Sequence, residues 1–112
     1  MNTTNTTDWT REEFEAYLLF YCANADFVET EEEKKLIHSK VSDNAYNKMH
    51  AEFEADNDYQ SIQKIIHTAE RFELSKNELD GLFQEINQVF LSDGKMDMME
   101  REIFIGLKRI LK

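Results

Sequence analysis

The stretch FLSDGKMDMMEREIF, from Phe90 to Phe104, decides how this chain is read. An apolar helical pattern ends at Ser92-Asp93-Gly94, and a second opens at Asp97. Glycine suits the left-handed backbone with which helices often close. Asp97 followed three residues later by Glu100 is a capping box, in which the two side chains satisfy free amides of the first turn. Met96, just ahead of that cap, is placed to fold onto the new helix as a staple. The same carboxylates are hard oxygen donors, so a cation site is the competing account of Asp93, Asp97 and Glu100.

Working outward, the same start signal recurs at Thr10-x-x-Glu13, Thr30-x-x-Glu33 and Ser75-x-x-Glu78. Asp43 and Asp58 are the expected caps of two further helices. Between these starts, apolar residues repeat at three- and four-residue spacing, the period of a helix with one buried face. Phe14, Tyr17, Leu18, Tyr21, Cys22 and Ala25 form one stripe. Leu79, Leu82, Phe83, Ile86, Val89 and Phe90 form another, and Met99, Ile103, Leu107 and Ile110 a third. No window alternates cleanly between turn signals, and the chain has no proline and only three glycines. The expectation is an all-α bundle of six helices near residues 10–25, 30–41, 43–56, 58–73, 75–92 and 97–111. Leu19 and Phe20 make the first helix apolar almost all round, which places it inside, with the fifth beside it at the centre. Residues 1–9 are expected to be a flexible tail and residues 10–112 a single domain. Leu18, Cys22, Phe83, Ile86 and Ile103 are the expected heart of the core.

At 112 residues the chain is long enough for a core without disulfides or metal staples. Its 23 acidic and 13 basic residues leave a net charge of −10, which disfavours nucleic acid and anionic lipid. Cations, or a partner with a basic face, fit better. The longest apolar run, Ala16 to Ala23, is far short of the roughly 20 residues that cross a bilayer. The opening MNTTNTTDW lacks the pattern of a signal peptide. With Cys22 as the one cysteine, a reducing, cytoplasmic setting is expected.

A weaker copy of the opening stretch lies upstream. ANADFVETEEEKKLI, Ala23 to Ile37, follows the same plan at an offset of 67 residues. Asp26 then falls on Asp93, Thr30 on Asp97, Glu33 on Glu100 and Lys34 on Arg101, while Leu19, Cys22 and Ala23 fall on Ile86, Val89 and Phe90. Apolar helix, acidic turn, capping box and amphipathic helix thus occur twice, as a pseudo-twofold repeat would require. With SDGKMDMME and ADFVETEEE as its two motifs, the chain resembles the TerB-like domains associated with tellurite-resistance proteins. Asp93, Gly94, Met96, Asp97 and Glu100 match that family's motif in the second copy, and Asp26, Thr30 and Glu33 in the first. Phe27 replaces the motif glycine, and the apolar Val28 comes one position early. The resemblance implies a compact helical domain over residues 10–112 and a metal site drawn from acids of the two turns. It also implies a partner protein in a response to tellurite or another stress.

Two accounts of the acids therefore stand side by side. Either they only cap helices, or Asp26, Glu33, Asp93, Asp97 and Glu100 share a divalent cation. Oxygen-only donors suit calcium, magnesium or manganese rather than zinc. A one-loop calcium site is excluded, because Lys95 and Gly94 break the alternating ligand pattern. His38, His50 and His67 lack metal-pair spacing and are expected at the surface or boundary, and Cys22 is expected to be an inert core thiol. With no nucleotide fingerprint or nucleophile constellation, the expectation is a non-enzymatic module that binds a protein partner, with or without the ion. The alternatives are a small metal-dependent enzyme built on the acidic turns and a helical scaffold without metal.

Overall fold

Six helices follow one another in the computed structural model, which describes residues 9–24, 30–91 and 98–111, without the side chains of residues 99 and 100. They are α1 (Arg11–Ala23), α2 (Glu31–Lys40), α3 (Asp43–Ala55), α4 (Asp58–Phe72), α5 (Lys76–Phe90) and α6 (Met98–Leu111). No strand occurs among the described residues, and the protein is an all-α bundle.

Local side chains start these helices as the sequence suggests, with two corrections. Thr10 and Glu13 form a reciprocal capping box on α1, as do Thr30 and Glu33 on α2 and Ser75 and Glu78 on α5. The caps of α3 and α4 are not Asp43 and Asp58 but the residues before them. Ser42 accepts from the Ala45 amide, and Asn57 forms a full box with Gln60. A cap needs extended backbone and a short acceptor, which Ser42 and Asn57 supply one position earlier. Glutamine closes a capping box as well as glutamate does. Asp43 and Asp58 instead enter the first turn, where their charge meets the positive end of the helix dipole. The expected cap at Asp97 lies outside the described residues.

The first helix is the hub. Every residue from Ala16 to Ala23 is buried, and α1 packs against all five other helices. A helix apolar on all sides loses most water contact only in such a position. The fifth helix shares the centre less fully than expected. It packs on α1, α2 and α6, but Asp80, Gly81, Gln84 and Gln88 along its outer side are exposed. Leu18, Cys22, Phe83 and Ile86 are core residues as expected. Ile103 is not: it is half-buried, and Ile110 is exposed, while Leu107 and Leu111 are buried. The helix is rolled so that the Phe104 ring meets Phe83 and Phe90 edge-on, with centroids 5.9 and 6.1 Å apart. Phe104 is half-buried like Ile103, and with Leu107 and Leu111 it shares a face that leaves Ile110 towards solvent.

Trp9 corrects the assigned extent of the tail. Only 3 % of its surface is exposed, and its ring lies 4.5 Å from that of Tyr17. Trp9 therefore belongs with the helical body, and residues 1–8 lie outside the described residues.

The two inner helix ends keep the 67-residue spacing, and the outer two do not. The end of α1 at 23 corresponds to the end of α5 at 90, and the start of α2 at 31 to the start of α6 at 98. Among these four helices α1 meets α2 as α5 meets α6, and α2 meets α5 as α6 meets α1, but α3 and α4 break the correspondence, because α1 packs firmly on both and α5 does not.

Candidate functional site

Of the five acids expected to bind a cation, Glu33 is the one whose side chain the structure describes. It is 1 % exposed, the one buried charged residue among those described. Its Oε1 accepts from the Thr30 amide at 2.8 Å and from the Thr30 hydroxyl at 3.1 Å, while Thr30 Oγ1 accepts from the Glu33 amide at 3.1 Å. The side chain expected as a ligand is thus also a working cap. Asp26, Asp93 and Asp97 lie outside the described residues. Glu100 lies in the first turn of α6, and its side chain is likewise outside them. Among the described residues, no group of three or more His, Cys, Asp or Glu side chains is placed to hold a metal.

A polar seam between α1, α3 and α4 was not legible in the spacing. The Tyr17 hydroxyl is 2.7 Å from Asp56 Oδ2 and 2.9 Å from Ser61 Oγ. Lys64 donates to Asp56 at 2.8 Å and to Glu52 at 3.0 Å, and the Trp9 indole donates to Glu52 at 3.3 Å. Arg71 donates to the Trp9 carbonyl at 2.5 Å. Burial, with the neighbouring carboxylate, raises the Tyr17 phenol well above its ordinary range. Burial pulls the Lys64 ammonium down, but the hydrogen bonds to Asp56 and Glu52 outweigh it and hold the group above its usual value. A lysine kept charged in this way is a strut and not a nucleophile, since amine chemistry needs the neutral form. The seam fastens Trp9, α3 and α4 to the hub.

A cleft of about 490 Å³ opens between α1, α2 and α5. Glu15, Glu85 and Lys40 meet in it, beside the Arg11–Glu78 ion pair. Lys40 Nζ lies 3.6 Å from Glu85 and donates to Gln88 at 2.7 Å. Burial first, and then the hydrogen bond to Glu85, pushes the Glu15 carboxyl up to about 8. Two carboxyls can hydrogen-bond only when a proton lies between them, and the raised Glu15 carboxyl is in keeping with that. The one sequence signal for this pair was an acid at the edge of an apolar stripe in each helix. The partnership across 70 residues was not visible.

The histidines lie at the surface or boundary, as expected. The sequence did not disclose that His38 and His50 flank Tyr46, with ring centroids 3.5 and 5.8 Å from it. Cys22 is fully buried. No helix among the described residues is long and apolar enough to cross a membrane. Comparison with protein-family models, with curated proteins and with solved structures finds no match to this chain.

Proposed function

We propose that this chain is a non-enzymatic, cytoplasmic TerB-like module. It takes a divalent cation between its two acidic turns and binds a protein partner in a stress or tellurite-type response. The observation that carries the proposal is the burial of Glu33 at the start of α2, a few residues after Asp26 in the sequence. Glutamate is almost never buried without a charged or hydrogen-bonding partner. A carboxylate has about four acceptor positions, so the bonds to Thr30 and a cation are compatible. Asp26, Glu33, Asp93, Asp97 and Glu100 would supply oxygen donors suited to calcium, magnesium or manganese. The ion would neutralise acids that otherwise repel one another. Further support comes from the end of α1 and the start of α2, which lie 67 residues before the end of α5 and the start of α6, and from the matching contacts within those four helices. A pseudo-twofold arrangement of this kind would bring the turns to comparable places.

Melting of the purified protein with each ion, at constant ionic strength, tests the proposal. A ligand bound only by the folded state raises the Tm, and at 100-fold excess over its Kd contributes about 2.7 kcal/mol. Asp26→Asn and Asp93→Asn should each remove the rise. No shift with any ion at millimolar concentration sinks the cation site. The scaffold without metal would then stand, as the engagement of Glu33 in its own cap favours.

A further inference from the structure

We propose that two copies of this chain associate through the outer face of α6, with the two helices antiparallel. Met98, Glu102, Ile105 and Arg109 recur at spacings of four, three and four, so they lie along one face. That face is opposite Leu107 and Leu111, which anchor α6 in the core. Met98 is 78 % and Ile105 43 % exposed, and Glu102 and Arg109 are exposed as well. The helix therefore packs one face inside the bundle and turns Met98 and Ile105, alternating with Glu102 and Arg109, outward on the other.

Charge selects a second copy as the occupant. The chain carries −10 overall, yet α6 has three basic residues, Arg101, Lys108 and Arg109, against the acids Glu100 and Glu102. No other helix has more basic than acidic residues. Contact through α6 therefore meets less like-charge repulsion than contact through α1, α3 or α5, each of which has more acidic than basic residues. The face is also self-complementary. A twofold axis near Ile105 sets that side chain beside its own copy and brings each Glu102 to the Lys108–Arg109 end of the other helix, twice by symmetry. A parallel pairing would place like charges together, which selects the antiparallel one. One helical face is smaller than the roughly 1,600 Å² of a standard stable interface, so the association is weak and depends on concentration. It calls on no residue of either acidic turn and stands apart from cation binding.

Sedimentation velocity from micromolar to millimolar protein tests it. The wild type should move from monomer towards dimer. Ile105→Asp and Arg109→Glu should each weaken association at least about tenfold, equivalent to about 1.4 kcal/mol. The double variant Glu102→Arg/Arg109→Glu should recover most of it, because the charges are exchanged across the axis. Circular dichroism should show unchanged helicity in all variants, and the Arg109 variants decide the matter if Ile105→Asp unfolds. A wild type that stays monomeric at millimolar concentration overturns the proposal. So does a dimer indifferent to these single substitutions, or a charge swap that restores nothing.

Discussion

Phe83 touches the two kinds of contact that hold α6 to the bundle. Its ring meets Phe104 edge-on at 5.9 Å, and the Lys108 ammonium lies 5.9 Å above it. Such a ring pair adds about 0.5–1.5 kcal/mol to the burial of the rings themselves. Phe83→Ala should therefore cost roughly 3–5 kcal/mol, as loss of a buried aromatic side chain does. A urea titration measures it, and an unchanged midpoint would show that this face of α5 contributes no core. Burial of Phe83 was legible from its stripe. Its partner was not: Ile103 was the expected core residue of α6, but the structure sets the Phe104 ring edge-on to Phe83 and Phe90 and leaves both Ile103 and Phe104 half-buried.

At the scale of the element, starts were more legible than faces. A cap is a contact between a side chain and an amide three residues away, so both partners are visible in four consecutive letters. The two misplaced caps differ by one residue each, since Ser42 and Asn57 precede aspartates that look equally able. Asn57 is the more informative, because it and Gln60 bond reciprocally at 2.8 and 2.9 Å. Asn57→Ala should destabilise by about 1 kcal/mol. Asp58→Asn, which removes only a charge from the first turn, should cost less. Equal losses in chemical denaturation would return the capping duty to Asp58.

For the whole molecule, the Glu15–Glu85 contact joins α1 to α5 and makes stability depend on pH. Glu15 is faced by Glu85 from α5, by Lys40 from α2 and by Glu12 from its own helix. Its folded value of about 8 lies above the ordinary 4.5. The contribution is thus complete below about 4.5 and is lost as pH rises through 8. Glu13 and Glu78 act in the opposite sense. Glu13 is held low by Lys48 and the Thr10 amide, and Glu78 by the Ser75 amide and Arg11, so their contribution fades as pH falls into the acid range. Between pH 5 and 8, the Tm of the wild type should decline with rising pH. Glu15→Gln, which keeps a hydrogen bond to Glu85 without the proton, should flatten that decline and melt higher than wild type at pH 8. A parallel decline in the variant would place the titrating group elsewhere.

What the sequence determined alone is local or periodic. It specified six helices, most of their first turns, the hub position of α1 and the exclusion of strands, because each rests on neighbours within four residues or on a repeating pattern. It also marked Glu33 as a cap, which the structure shows it to be. Only the tertiary structure decided which distant groups meet. Tyr17 reaches Asp56 and Ser61 across 39 and 44 residues, Lys40 reaches Gln88 across 48, and Glu15 meets Glu85. Such partnerships depend on how rigid helices rotate and dock to bury their largest rings. A one-residue change in the face presented redirects a side chain by about 100°, and nothing local in the chain prefers one rotation to the next.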